Sequence, residues 1–215
     1  ITRAEKEGFD AISAFIVQFD KAHFFPEKDL ISLELVVEKG SYRVLGIQGM
    51  GSNGDSVVGR VNAVASILKH KPTTKDISNL ELAYSPPFSS AMDILNALGN
   101  TAENILSGKN KTIDVNELSE EWNRKEDNNS FFLDCRGRVD AGPFLDKYPL
   151  HWKNIPHDEL RKRIDEVPRN REVLLICNTG VRSYEAQLIL DQNGIKNTLN
   201  LQGGMAGIRQ YGTDI

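Results

Sequence analysis

The segment Cys177-Asn178-Thr179-Gly180-Val181-Arg182-Ser183 concentrates more chemical capacity than any other stretch of the chain. An apolar run, Val173–Ile176, precedes it, and helical spacing begins near Arg182. A strand of this kind would deliver Cys177 to the carboxyl edge of a sheet, where such sheets place their ligands. The turn that follows needs Gly180, which is free to take a positive φ. Backbone N–H groups of the loop and of the first helical turn then converge on one point, and Arg182 adds a full charge. Such surroundings stabilise a thiolate and would cradle a persulfide or thiosulfonate anion. The sequence therefore predicts an exposed, nucleophilic Cys177, held by Asn178, Thr179, Gly180, Val181 and Arg182. The competing reading is a packed core thiol, the usual fate of a cysteine in an apolar strand.

The second cysteine, Cys135, stands between Asp134 and Arg136 at the end of another apolar run. It reads as a small core residue or as a resolving partner for Cys177. Asp134 and Arg136 are expected to orient backbone. Two cysteines make neither a disulfide framework nor a zinc site on their own, so no metal is expected and a reducing, cytoplasmic setting is the natural reading. His23, His70, His151 and His157 form no constellation.

Short apolar strands must alternate with helices to hold this loop. Asp114 can cap a helix carrying Val115, Leu118 and Trp122, with Glu117 as capping-box partner. Phe131–Asp134 and Thr198–Leu201 read as strands, Asp158–Val167 and Arg182–Gln192 as helices. This pattern predicts a parallel sheet covered on both faces. The first half differs. Ala11–Phe19 is β-rich, and Leu30–Glu38 alternates with Ile31, Leu33, Leu35 and Val37 on one face. Gly40-Ser41 turns the chain into a strand over Tyr42–Gln48, followed by the loop Gly49–Gly54. Val57, Val61, Val64, Ala65 and Leu68 then recur at helical spacing, and a last helix spans roughly Ser90–Leu106. The expected architecture is an α+β domain, 1–107, a polar linker, 108–111, and an α/β domain, 112–215.

Composition excludes several classes. The chain of 215 residues is 40% hydrophobic and 26% charged, with net charge −4. Mild acidity and scattered basic residues give no reason to expect nucleic acid or an anionic membrane as partner. The basic run Arg161–Arg163 reads as one solvated helix face. No apolar run approaches the roughly 20 residues of a membrane span, and no signal peptide opens the chain. Starting at Ile1 without Met, it reads as a piece of a longer protein.

Four motifs in order carry a resemblance. Cys-Asn-Thr-Gly-Val-Arg-Ser at 177–183 is similar to the active-site loop of single-domain rhodaneses. Leu133-Asp134-Cys135-Arg136 resembles their Asp-Val-Arg strand end, Asn154-Ile155-Pro156 their Asn-Ile-Pro, and Asn200–Gly204 their closing Gly-Gly. The resemblance covers nearly all of 112–210. It departs over Gly142–Lys153, which is longer than the usual Gly-His-Ile segment, and at Ile208, where Trp is common. It implies that Cys177 accepts sulfane sulfur as a persulfide and passes it to small thiols or persulfides. Cysteine-dependent phosphatases and arsenate reductases also pair a thiolate with an arginine, but across five intervening residues; here there are four, Asn178 to Val181.

Residues 79–93, Asn-Leu-Glu-Leu-Ala-Tyr-Ser-Pro-Pro-Phe-Ser-Ser-Ala-Met-Asp, resemble the C-terminal dimerisation domain of flavin-dependent pyridine nucleotide–disulfide oxidoreductases of the coenzyme A-disulfide reductase and NADH oxidase branch. Such reductases fused to a rhodanese domain form a subgroup with this order of halves. The resemblance implies a parent using FAD, NAD(P)H and coenzyme A, a homodimer through residues 1–107, and missing N-terminal FAD and NAD domains. Within this fragment we expect no cofactor and no G-x-G-x-x-G unit for FAD or NAD. Tyr84 matches a tyrosine that reaches the partner subunit's disulfide site, with a packed interface aromatic as its alternative role. Phe24 stands where a second tyrosine is usual. The reading that rivals enzymology is a non-catalytic dimerisation or scaffold module with a vestigial rhodanese domain.

Overall fold

The structure is a computed structural model and describes residues 1–126 and 129–213. The chain divides into two compact units, Ile1–Lys109 and Asn110–Ile215.

The first unit opens with α1 (Thr2–Lys6), followed by β1 (Ala11–Phe19), β2 (Leu30–Glu38) and β3 (Val44–Gly51). Then come α2 (Gly54–Ile67), a 3-10 turn at Leu68–His70, α3 (Thr74–Ser78) and α4 (Ile94–Leu106). The strands pair antiparallel in the order β1-β2-β3. Alternation puts Ile31, Leu33, Leu35 and Val37 on one face of β2, all at 0% exposure, against Val57 and Val64 of α2 and Leu95, Leu98 and Ala102 of α4. The strand expected at Tyr42–Gln48 starts and ends later, with a register shift between Val36 and Val37. The last helix begins at Ile94, because the Asp93 carboxylate caps it by accepting from the Leu95 N–H. Ala65 faces solvent, and Arg60 takes a buried place on α2 instead. There its guanidinium pairs with Asp93 at 2.7 Å and donates to the carbonyl oxygens of Asp20 and Ser56.

The spacing Gly49-x-Gly51-x-x-Gly54 is present after all, between β3 and α2. It does not fit a dinucleotide. Gly49 and Gly51 lie inside the strand, where an added Cβ would stand 2.4 Å from Leu33 and 2.6 Å from Ile31, so these glycines serve strand and helix packing. The start of α2 already holds an anion: the Asp20 carboxylate accepts from Asn53 and Ser56 at 2.9 and 3.0 Å. Burial alone would raise the Asp20 pKa, but hydrogen bonds from the Asp29 N–H, Asn53 and Ser56 outweigh it and hold the value below the usual carboxylate range. A phosphate would meet that charge.

The second unit runs β4 (Thr112–Ile113), α5 (Val115–Asn123), β5 (Ser130–Asp134), α6 (Arg138–Lys147), β6 (Trp152–Asn154), β7 (Glu172–Ile176), α7 (Val181–Gln192), β8 (Thr198–Leu201) and α8 (Gly204–Tyr211). All five strands are parallel, in the order β4-β8-β7-β5-β6. Each face carries its own core. One gathers Leu133, Val173 and Leu175 with Ala186, Ile189 and Leu190 of α7. The other gathers Phe132, Leu174 and Ile176 with α5, Phe144 of α6, Trp152, and Met205 and Ile208 of α8. The capping box Asp114–Glu117 closes the start of α5.

The segment Asp158–Val167 is not one helix. It forms two 3-10 turns, Leu160–Lys162 and Ile164–Glu166. Arg163 between them sits at φ −118, and Val167 is extended ahead of Pro168, where helical backbone is disfavoured. Nor do its basic residues form one solvated face, since Arg163 is locked to Glu159 and Glu166. Helix α6 escaped the sequence reading because it carries Pro143 and buries only Ala141 fully.

Candidate active site

From β5 the chain crosses through α6 on one face to β6, and from β7 through α7 on the other face to β8. The chains leaving β5 and β7, which are neighbours, therefore go to opposite faces of the sheet, a topological switch point of the kind where such sheets place their ligands. Cys135 and Cys177 are the first residues beyond those ends.

Cys177 lies on the floor of its loop. Its Sγ accepts from the Gly180 N–H at 3.1 Å and from the Ser183 Oγ–H at 3.2 Å. Gly180 adopts φ +96 as the N-cap of α7, which turns its amide back towards the sulfur. The expectation of an exposed thiol is corrected: Cys177 is 1% exposed. The first turn of α7 and the α7-side core close around the residue, yet the sulfur itself faces polar donors.

Other contacts hold the loop. The carbonyl of Cys177 accepts from the Met205 N–H at 2.8 Å, and that of Asn178 from the Ala206 N–H at 2.9 Å, so the start of α8 is stitched under the loop. Asn200 donates its side-chain amide to the Gly180 carbonyl at 3.2 Å. The Asn178 side chain donates to Asp140 at 3.3 Å. Val181 is exposed, Thr179 is half-buried, and Arg182 is half-buried with no ion-pair or hydrogen-bond partner among the described residues. Nearby arginines are committed: Arg138 pairs with Glu159 at 2.7 Å and Arg136 with Asp134 at 2.6 Å. That leaves the Arg182 charge available to an anion at the loop.

Asp134 and Arg136 are buried at 0% and 4% exposure. The guanidinium meets the carboxylate through Nε and a terminal nitrogen, Trp152 donates its indole N–H to the same carboxylate at 2.9 Å, and Asn154 donates to the carbonyls of both residues. This clamp fixes the end of β5. Cys135 is fully buried, its N–H bonded to the Ile176 carbonyl at 2.7 Å and its carbonyl to the His157 N–H at 3.1 Å. Burial pushes the Cys135 thiol pKa far up, with Cys177 and Asp134 adding to the shift and Arg182 opposing it.

Tyr84 belongs to the first unit, 51% exposed on the segment before Pro86-Pro87. The histidines stand apart: His23 edges onto Phe24, His151 pairs with Glu126 and His157 with Glu185. Among the described residues no cluster of three or more His, Cys, Asp or Glu could hold a metal, and no helix is long and apolar enough to cross a membrane.

Sequence reasoning missed Ser183 as a donor to the sulfur, Asn200 as a donor to the Gly180 carbonyl, and Gly204, which packs against the backbone of Cys177 and Thr179. Ser183 had a signal: it lies three residues after the turn glycine, in the first turn of the helix that points at the thiol. Asn200 and Gly204 are remote in sequence, and the resemblance of Asn200–Gly204 to the closing Gly-Gly of rhodaneses marked the segment without telling what it touches.

The chain is similar to several known proteins in sequence and in fold. The rhodanese-like domain profile matches residues 102–211. The NAD(P)H sulfur oxidoreductase (CoA-dependent) of Pyrococcus abyssi is 38% identical over 94 residues, 44% of this chain and 20% of that protein. The chain thus spans about a fifth of the length of that curated relative. Among solved structures, a NAD-dependent persulfide reductase from A. fulgidus superposes with TM-score 0.81 at 34% identity, covering 96% of this chain and 35% of its own. The reduced CoADR-RHD of Bacillus anthracis superposes with TM-score 0.82 at 28% identity, covering 97% and 36%.

Proposed function

The chain belongs to the rhodanese-like domain family, and we propose that its Cys177 takes up sulfane sulfur as a persulfide and hands it to a thiol acceptor. The observation that carries this reading is the pair of donors on the sulfur, the Gly180 N–H and the Ser183 hydroxyl. A thiol packed only for its volume has no use for them. The Cys177 thiolate attacks the sulfane sulfur of thiosulfate or a polysulfide, that S–S bond breaks, and sulfite or a shorter polysulfide leaves with the electron pair. The loop amides from Asn178 to Val181 and the Arg182 charge then hold the outer sulfur.

In this reading the chain is the C-terminal portion of an FAD- and NAD(P)H-dependent coenzyme A-disulfide or persulfide reductase, in which the transferred sulfur leaves as sulfide and coenzyme A serves as carrier thiol. Its similarity to the sulfur oxidoreductase and to the two solved reductases supports this. The Gly49–Gly54 spacing does not fit a dinucleotide, so no flavin or nicotinamide step falls to these residues. A free catalytic thiol suits the reducing cytoplasm.

The first unit serves as a homodimer surface. Phe24, Tyr84, Phe88 and Met92 are 64%, 51%, 75% and 60% exposed. They sit on two segments joined by the Ala22 N–H to Pro86 carbonyl bond and by Ser90 to the Lys21 carbonyl. Sedimentation of Phe88→Asp beside the parent chain checks this reading: a monomer from the variant alone supports it.

Polysulfide treatment followed by intact-mass measurement tests the sulfur chemistry. An adduct of about 32 Da per sulfur, absent in Cys177→Ser, is expected. Its absence from the parent chain and from Cys135→Val alike would favour the scaffold module with a vestigial rhodanese domain.

A further inference from the structure

The chain's two cysteines, 42 positions apart, stand side by side at the sheet edge. The β5–β7 register ends with Asp134 opposite Ile176, and the Cys135 N–H extends the ladder to the Ile176 carbonyl at 2.7 Å. The next residues on the two strands are Cys135 and Cys177, on backbones about 4.8 Å apart. Alternation turns both side chains the same way. Leu133, Leu175 and the two cysteines share one core, whereas Phe132, Leu174 and Ile176 face the other. A Cα spacing near 4.8 Å falls within the roughly 4.4–6.8 Å that a disulfide spans.

We propose that Cys135 is a resolving cysteine, which expels sulfide from the Cys177 persulfide when no external acceptor thiol arrives. The step rests on the reading of Cys177 as a sulfane-sulfur carrier. The Cys135 sulfur attacks the inner sulfur of Cys177–S–SH, and a Cys135–Cys177 disulfide forms. The bond between inner and outer sulfur breaks, and the outer sulfur leaves as hydrogen sulfide with that electron pair and the Cys135 proton. The outer sulfur is reduced by two electrons, and each cysteine sulfur is oxidised by one. Two equivalents of a small thiol then reduce the disulfide and restore both cysteines. Unlike Cys177, Cys135 has no loop amide or hydroxyl among the described residues donating to its sulfur, so nothing there holds a sulfur donor's anion. Burial also holds its thiol protonated, which slows attack and leaves precedence to external acceptors.

The test loads the whole chain with inorganic polysulfide, removes excess reagent and thiols, and follows mass and free sulfide without oxygen. The loaded chain should lose its adduct of about 32 Da, settle about 2 Da below the reduced mass, and release about one sulfide per chain. Cys135→Val and Cys135→Ser should keep the adduct and release less than about a tenth as much sulfide over the same time. Proteolysis should yield one peptide pair linking Cys135 to Cys177 from the parent chain alone. Adduct that persists equally in the parent chain, or sulfide released without that disulfide, overturns the resolving role and leaves the carrier reading intact. No adduct on Cys177 in any of the three proteins overturns the carrier reading, and the resolving role with it.

Discussion

Gly204 lies against the backbone of Cys177 so closely that a Cβ there would stand 2.4 Å from the Cys177 carbonyl oxygen and 2.7 Å from the Thr179 nitrogen. Its φ of +56 adds a second demand that only glycine meets without strain. These are backbone atoms and cannot swing aside. The consequence is that α8, far along the chain, sets the height of the cysteine loop.

Gly204→Ala should therefore damage the loop beyond any loss of helix quality. Displacement of the 177–179 backbone should cost about 1–3 kcal/mol in chemical denaturation and lower sulfur transfer by a larger factor than Gly212→Ala, whose Cβ would meet nothing within 4 Å. Equal effects of the two substitutions would sink the argument.

Ser183→Ala removes one of the two donors to the Cys177 sulfur, together with the hydroxyl's alternative contact to the Gly180 carbonyl within the same turn. A net hydrogen bond of about 1 kcal/mol translates to a roughly fivefold slower transfer, with a much smaller change in folding stability. The check is single-turnover transfer and urea denaturation on the same preparation.

Breaking the buried clamp is expected to be costly. Asp134→Ala leaves the Arg136 guanidinium at 4% exposure without its carboxylate, a loss of about 3–5 kcal/mol. Replacing both, Asp134→Leu with Arg136→Met, should recover much of that loss, because no uncompensated charge remains. Thermal and urea unfolding of the single and double variants decide the point.

Cys135 predicts an alkaline weakness. Its folded pKa is raised above the unfolded value of about 8.5, so the stability it contributes is fully present below about pH 8.5 and lost as pH rises further. The unfolded chain then sheds a proton that the folded chain keeps. Unfolding free energy of the parent chain should fall relative to Cys135→Val by up to about 1.4 kcal/mol per pH unit above that point. Parallel curves for the two proteins up to pH 10.5 would contradict it.

The sequence alone placed the Cys177 loop and the strands that carry it. Period-two alternation in Leu30–Glu38, the continuous apolar run at Val173–Ile176 and the Asp114–Glu117 capping box are local signals, decided by residues within a few positions of one another. Cys177 and its loop form one contiguous segment, so the candidate site could be located before any fold was known. Only the tertiary structure decided what surrounds them. Ser183 reaches the sulfur because the positive φ of Gly180 starts α7 with its first turn against Cys177, and Gly204 supports the loop because β8 runs beside β7. The adjacency of Cys135 and Cys177 comes from parallel pairing across 42 residues, a long-range register that no local pattern encodes. The same limit explains the burial of Cys177 and the antiparallel setting of Gly49–Gly54. Both depend on what packs against a segment, and that is settled by distant residues meeting.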